Sequence, residues 1–221
     1  MTASSTSDDV LVFLPGFVVP SGAYADLLQP LVDRGVSVSV PTLYRPTPRV
    51  LLGRFSVADE ARVAAAYLEA NVPLNARLFI GGHSRGGQAA WRAAQLVIRS
   101  GRPLAGLVAV DPVDGGNPRA RRDFVTDRPA DFPFAPLIIG AGRGGKCAPA
   151  DRNHALFAAS ASNSKHVVFE DLGHGDVVSG RAGWAARKLC GTGVVDVSCA
   201  RAEVSSVMVD YIKAVAGPGE T

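Results

Sequence analysis

Residues 77–87 read RLFIGGHSRGG, and this stretch decides the predicted fold. A short apolar strand, Arg77–Ile80, runs into glycines and a serine, and a helix is predicted from Arg85 to Ser100. A sharp strand-to-helix turn of the form G-x-S-x-G lifts its serine hydroxyl out of the sheet. The helix N-terminus beneath that hydroxyl favours developing negative charge. Ser84 is therefore the predicted nucleophile, and a glycine-rich turn with a helix-capping serine is the alternative.

Strand-like and helix-like segments alternate along the rest of the chain, and the strands are continuously apolar. This pattern is typical of a mostly parallel sheet covered on both faces. We therefore predict an α/β-hydrolase fold with about six strands, helices on both faces and no large cap domain. Strands are predicted at 10–14, 36–40, 77–80, 104–110, 137–141 and 166–170, and helices at 21–34, 56–70, 85–100, 153–160 and 203–216. Segment 112–135 is predicted to be irregular, and segment 175–199 is predicted to be mostly loop with one turn near Trp184.

Length and composition narrow the class of protein. The 221 residues suit one domain, predicted at 10–217 after a disordered tail over 1–9. Apolar residues make up 47% of the chain, and 23 basic against 20 acidic residues leave a net charge of +3. That surplus is too small to indicate a nucleic-acid partner. No apolar run is long enough to predict a membrane span, and the acidic start of the chain does not resemble a signal peptide.

The three cysteines allow at most one intramolecular disulfide. Spacing along the chain favours Cys190 with Cys199 over the pairs that include Cys147. An odd count leaves the redox compartment undecided.

A serine hydroxyl is a weak nucleophile and needs a general base, for which the chain has four histidines. His174 lies in the sequence DLGHGD directly after the last predicted strand, where glycines let a loop carry the imidazole over the sheet edge. His83 is predicted to pack beside the turn. His154 begins a helix and His166 begins a strand, so both are predicted at the wrong end of the sheet or on an outer face. His174 is therefore the predicted base.

The base needs a carboxylate to fix its tautomer and stabilise the imidazolium. Asp111 stands at the end of a strand beside the nucleophile strand and keeps the chain order Ser, Asp, His. The following strand runs into a glycine-rich loop without an acid, and Asp151 is the first acidic residue beyond it. Asp111 is the predicted acid. Asp151, Asp114 and Asp176 are the alternatives, and an ordinary Asp-Pro turn is the structural interpretation of Asp111.

An oxyanion needs two backbone N–H donors. Arg85, the residue after the nucleophile, is predicted to supply one of them. Phe17 is predicted to supply the other from the Pro15-Gly16-Phe17 loop after the first strand, where Gly16 allows close approach of the backbone. An ordinary Pro-Gly turn is the alternative.

Further stretches make the chain similar to the chlorophyllase family of α/β-hydrolases over nearly its whole length. They are VFLPGF at 12–17, ADLL at 25–28, VPTLY at 40–44, GHSRGG at 82–87, VDPVDG at 110–115, CAP at 147–149 with the following Asn153-His154 pair, and GHGD at 173–176. The resemblance places the family's nucleophile, acid and base on Ser84, Asp111 and His174. One departure is Pro15-Gly16, where the family usually has His-Gly.

The resemblance implies hydrolysis of chlorophyll to chlorophyllide and phytol through an acyl-enzyme, with no metal or other cofactor. A carboxylesterase, lipase or cutinase-like enzyme acting on another ester is the alternative, and a non-catalytic binding protein on this fold is the third. The expected partner is a small hydrophobic ester, with peripheral membrane contact through it as an option, and the expected state is a monomer. The expected lining of an apolar cleft, in which each residue could equally be core, is Val18, Val19, Phe55, Phe124, Phe132 and Phe134.

Overall fold

A computed structural model describes residues 9–43, 56–115, 124–191, 193 and 196–215. Its sheet has six strands in the order β2-β1-β3-β4-β5-β6, and every neighbouring pair is parallel. The predicted parallel sheet is confirmed, with strand ends that move by a few residues. The strands are β1 (Asp9–Leu14), β2 (Ser37–Ser39), β3 (Arg77–His83), β4 (Gly106–Val110), β5 (Leu137–Arg143) and β6 (Lys165–Gly173).

The described residues also contain six α-helices. They are α1 (Ala25–Asp33), which follows a 3-10 turn at Ser21–Tyr24, α2 (Val57–Asn71), α3 (Arg85–Arg99), α4 (His154–Ser160), α5 (Gly180–Cys190) and α6 (Val197–Ala214). The start of α2 is set by a capping box, in which the Ser56 side chain and Asp59 each satisfy the other's backbone amide. None of these helices combines the length and the apolar character that a bilayer crossing requires.

Alternating strand side chains build two apolar cores, one on each face of the sheet. On one face, Leu11, Phe13 and Phe79 pack with residues of α1 and α6. On the other, Val12 and Ile80 pack with residues of α2, α3 and α4. Burial of both faces explains why the strand sequences are continuously apolar. Because the strands are parallel, their carboxyl ends meet at one side of the sheet, which we call the carboxyl edge.

The prediction that segment 175–199 is mostly loop is wrong, and the turn predicted near Trp184 lies within a longer helix. This segment contains α5 and the beginning of α6. Two glycines and few large apolar residues concealed α5 in the sequence. A Cβ on Gly183 would lie 2.1 Å from the Val178 carbonyl oxygen, so this glycine allows close packing inside a helix rather than ending one. Helix α6 begins at Val197 rather than near Glu203 because the Asp196 carboxylate caps its first amides.

The predicted pairing of Cys190 with Cys199 is also wrong. The disulfide joins Cys147, in the loop after β5, to Cys190 at the end of α5. The Lys146 amide donates to the Cys190 carbonyl oxygen at 3.3 Å, so the two segments pack side by side. Cys199 is a free, exposed thiol in the first turn of α6. Its short separation from Cys190 along the chain does not place the two sulfurs together, because they belong to different helices.

Candidate active site

Ser84 sits on the turn between β3 and α3 with φ +56° and ψ −126°, which is strained for a residue with a side chain. The glycines around it are required by close packing. A Cβ on Gly82 would lie 2.4 Å from the Gly86 carbonyl oxygen, and a Cβ on Gly86 would lie 2.1 Å from the Leu14 carbonyl oxygen. The turn therefore closes only without these side chains, and it leaves Ser84 partly exposed at the carboxyl edge.

The histidine predicted as base lies beside this serine. His174 follows the strand β6, and its Nε2 is 2.9 Å from the Ser84 Oγ. Its Nδ1 is 2.6 Å from the Asp111 Oδ2. The imidazole and the carboxylate are buried, with 5% of His174 and 1% of Asp111 exposed. Three residues distant in the sequence thus form one hydrogen-bonded line that ends at the accessible serine.

Asp111 is held rigidly at the end of β4. Its φ is +39°, its amide donates to the Ile139 carbonyl oxygen at 2.6 Å, and its second carboxylate oxygen, Oδ1, accepts from the Ala141 amide at 3.1 Å. The carboxylate therefore has one oxygen for the sheet and one for His174. This arrangement leaves the carboxylate few other orientations.

The alternative acids lie elsewhere or do other work. Asp151 is exposed and pairs loosely with Arg152 at 3.7 Å. Asp114 is buried and accepts from Gln88 Nε2 at 2.6 Å. It also accepts from the Val125 and Thr126 amides at 2.9 Å, so it organises the loop after β4.

Asp176 accepts from the amides of Gly173 and Gly193 and shapes the loop that carries His174.

Arg85 and Phe17, the predicted oxyanion donors, both lie at the carboxyl edge. Arg85 is the first residue of α3, where backbone amides have no partner within the helix. Its guanidinium is anchored by buried Glu60 at 2.8 Å and by Gln88 Oε1 at 2.8 Å.

Phe17, the second predicted donor, follows β1, and its side chain is exposed. The amide before it, Gly16, donates to the Tyr24 hydroxyl at 2.8 Å and is therefore committed to an internal bond.

The predicted apolar lining is only partly brought to this edge. Val18 is exposed and Val19 is half-buried in the loop after β1, while Phe124 packs against Gly115 in the loop after β4. The prediction for Phe132 and Phe134 is not supported. Both precede β5, at the opposite edge of the sheet, and Phe132 is buried against Trp91 with ring centroids 4.9 Å apart. Phe55 lies outside the described residues.

The structure also corrects the placement of His154. Its ring covers Gly140 on β5, so a Cβ on that glycine would lie 2.4 Å from His154 Nδ1. The same nitrogen is 2.9 Å from the Nε2 of His166. Burial lowers the pKa of His154, and the nearby Asp111 carboxylate opposes that shift. His154 is thus a buried residue packed against β5, within the electrostatic influence of Asp111, rather than one on an outer face.

His83 packs beside the turn, as the sequence indicated, but its partners are polar. It lies between the Tyr24 hydroxyl and the backbone of His174. In the sequence, Tyr24 falls within the predicted helix at 21–34. No local pattern marks its hydroxyl as a neighbour of the site.

Comparisons with known proteins identify a family model and curated relatives that match this chain. The model of the family described as Chlorophyllase matches residues 3–219. The chain is 29% identical to chlorophyllase-1 of Arabidopsis thaliana, over 92% of this chain and 71% of that protein. It is 30% identical to the chloroplastic chlorophyllase-1 of Citrus unshiu, over 93% of this chain and 68% of that protein.

Among solved structures, a hydrolase of the alpha/beta superfamily from Xanthomonas campestris superposes with a TM-score of 0.59 at 17% identity, covering 90% of this chain and 98% of the other. That likeness confirms the α/β-hydrolase fold. The match of the family model over nearly the whole chain also establishes the family. The protein belongs to the chlorophyllase family of carboxylic ester hydrolases.

Proposed function

We propose that the protein hydrolyses its ester with Ser84 as nucleophile, His174 as general base and Asp111 as the acid that orients it. The observation that carries the proposal is the unbroken line from Ser84 Oγ through the two nitrogens of His174 to the Asp111 carboxylate. Such a line activates a hydroxyl that would otherwise react slowly.

In the proposed acylation, Ser84 Oγ attacks the ester carbonyl and His174 Nε2 takes its proton. The amides of Arg85 and Phe17 donate hydrogen bonds to the carbonyl oxygen and stabilise the negative charge that develops on it. The tetrahedral intermediate then expels the alcohol, which takes the proton from His174. Asp111 stabilises the imidazolium throughout without becoming protonated.

Deacylation repeats the sequence with water. His174 removes a proton from a water molecule as it attacks the acyl-enzyme, and it returns the proton to Ser84 Oγ as the acid departs. None of these steps requires a redox change, because only carbonyl–oxygen bonds and proton positions change.

For the substrate we propose chlorophyll, with the pigment's propionate as the acyl group and phytol as the leaving alcohol. Family membership supports this choice. The exposed side chains of Phe17 and Val18, in the same loop as one proposed oxyanion donor, support an apolar substrate. A carboxylesterase acting on another hydrophobic ester is the alternative, since the same catalytic groups would serve either substrate.

The test compares wild type with Ser84→Ala on two substrates, chlorophyll a dispersed in detergent and p-nitrophenyl butyrate. We expect chlorophyllide and phytol from wild type, and a loss of turnover on the order of 10⁶ in the variant. Turnover of the p-nitrophenyl ester alone would exclude chlorophyll as substrate and leave the esterase mechanism.

Labelling by a fluorophosphonate probe distinguishes either enzyme, chlorophyllase or carboxylesterase, from a non-catalytic binding protein. Wild type should be labelled at Ser84, and the alanine variant should not. A folded wild-type protein that neither reacts with the probe nor hydrolyses either ester would contradict the proposed function.

A further inference from the structure

We infer that Tyr24 and His83 are positioning residues of this site, because one hydrogen-bonded chain through their side chains joins the loop after β1 to the backbone of His174. The inference rests on the proposed function, and it adds two residues to its machinery. The hydrogen bonds of the two side chains go to the backbone of Gly16 and His174 and to each other, and not to the side chains of Ser84, His174 or Asp111.

The chain has three links. The Gly16 amide donates to the Tyr24 hydroxyl oxygen at 2.8 Å, that hydroxyl lies 2.9 Å from His83 Nδ1, and His83 Nε2 lies 3.0 Å from the His174 carbonyl oxygen. The rings of His83 and His174 also lie against each other, with centroids 4.7 Å apart. His83 immediately precedes Ser84, so these hydrogen bonds connect the loop after β1, the turn between β3 and α3, and the loop after β6.

The donor and acceptor capacity of each group determines the position of every proton in this hydrogen-bonded chain. A backbone carbonyl can only accept, so the Nε2 of His83 must carry a proton. In the neutral ring Nδ1 is then bare and accepts from the Tyr24 hydroxyl. The Tyr24 oxygen in turn accepts from Gly16. Each donor has one acceptor, and the direction of the chain cannot be reversed.

Burial keeps both side chains neutral. His83 and Tyr24 are almost fully buried. Desolvation lowers the pKa of His83 well below its usual value, an effect that the neighbouring His174 reinforces and the bond to its carbonyl opposes. Desolvation likewise raises the pKa of Tyr24, against the opposing bond from Gly16. A neutral imidazole and a neutral phenol are the forms that the chain requires.

The loop after β1, which these hydrogen bonds hold in place, has a strained backbone. Val18 has φ +53°, which is costly for a β-branched residue and persists only when surrounding contacts enforce it. Within the loop, the Val19 amide donates to the Gly16 carbonyl oxygen at 3.1 Å. A Cβ on Gly16 would lie 3.2 Å from the Tyr24 hydroxyl and 3.3 Å from His83 Nδ1. The chain therefore fixes the backbone one residue before the proposed donor Phe17.

Removing the Tyr24 hydroxyl should loosen that donor and the His174 backbone together. Deleting an oxyanion donor outright costs about 10²–10³ in kcat. We expect Tyr24→Phe, which misplaces rather than deletes it, to lower kcat for p-nitrophenyl butyrate about 10- to 100-fold, with KM changed less than about threefold.

The matched control is Tyr211→Phe. Tyr211 is also buried, and its hydroxyl accepts from the Leu107 amide and donates to the Ala135 carbonyl oxygen, at the opposite edge of the sheet. The two variants remove the same group from the same kind of backbone contact. We expect Tyr211→Phe to lose thermal stability while keeping wild-type kcat.

A second pair of variants tests His83. A glutamine at this position retains an acceptor and a donor, whereas leucine retains neither. We expect His83→Leu to lose activity as Tyr24→Phe does, and His83→Gln to recover most of it. All variants should be compared per active site, counted with the fluorophosphonate probe.

The inhibition constant of butylboronic acid, which forms a tetrahedral adduct with the serine, distinguishes a positioning role from a purely structural one. A loss of stability alone would leave this constant unchanged. The constant should rise in Tyr24→Phe by the factor by which kcat/KM falls, because adduct and transition state use the same donors. Tyr24→Phe with the kcat and boronate affinity of Tyr211→Phe would overturn the inference and leave the proposed function standing. Absence of turnover and labelling in wild type would overturn the proposed function itself.

Discussion

Backbone strain in the described residues is concentrated at single positions around Ser84. The non-glycine residues with positive φ there are Val18, Ser84 and Asp111. Each lies just after a strand, β1, β3 or β4, at the carboxyl edge. Such conformations cost on the order of 1–3 kcal/mol and survive only where the fold enforces them. The strain supports a functional role for this edge, because stability alone would not select it.

Asp111→Asn should lower kcat for p-nitrophenyl butyrate about 10³–10⁴-fold. Asp111 Oδ1 accepts from the Ala141 amide, so an asparagine that keeps this bond turns its NH₂ group toward His174 Nδ1. That nitrogen must then accept, which moves the imidazole proton to Nε2. The base can no longer receive a proton from Ser84.

The control is Asp151→Asn, at the exposed acid that the sequence left as an alternative. This variant should keep the kcat of wild type. Near-wild-type activity in Asp111→Asn would instead remove Asp111 from the proposed mechanism.

At the scale of elements, the turn between β3 and α3 depends on backbones that touch. Gly86→Ala should destabilise the protein by about 3 kcal/mol or more, because the new Cβ would meet the carbonyl oxygens of Leu14 and Pro15. Gly22→Ala is the matched control, since a Cβ there would have nothing within 4 Å. Urea unfolding of both variants measures the difference. Equal stability of the two would show that the turn can open without loss.

The elements also show where sequence patterns succeed. The capping box at Ser56 and the apolar runs of the strands predict their elements closely, because their signals are local. Helix α5 carries no such signal, since Gly183 is required by contact with Val178 and only the folded structure reveals that contact. The same holds for His154, whose burial depends on contact with Gly140 of β5.

For the whole molecule, the Cys147–Cys190 disulfide should contribute to stability by closing a long loop. The two residues are 43 apart in sequence, for which loop-closure entropy gives about 4 kcal/mol. Cys147→Ala should therefore lower the Tm measured by calorimetry under non-reducing conditions. Cys199→Ala removes the free exposed thiol and should leave Tm unchanged. A lower Tm only in Cys199→Ala would contradict the observed pairing.

Stability should also fall in mild acid. Burial lowers the pKa values of His83 and His154, so below pH 6.5 the unfolded chain binds more protons than the folded one. The free energy of unfolding then decreases as pH falls through this window. His83 is the most deeply buried of them, and uptake of one proton on its unfolding contributes at most about 1.4 kcal/mol per pH unit.

Urea unfolding at pH 7.0, 6.0 and 5.0 measures this slope. His83→Gln, which cannot titrate, should show a smaller loss over the same range. A wild-type stability that is constant or rises toward pH 5 would rule out neutral, buried histidines in the folded state.

The sequence by itself determined the parallel sheet, the turn at Ser84 and the order of the predicted nucleophile, acid and base. These features have short-range signals: apolar runs, glycines at fixed offsets, and polar residues directly after strands. The tertiary structure alone decided the disulfide partner, the opposite-edge position of Phe132 and Phe134, and the chain through Tyr24 and His83. The physical reason is that these depend on which surfaces pack together, and contacts between distant segments leave no local pattern in the chain.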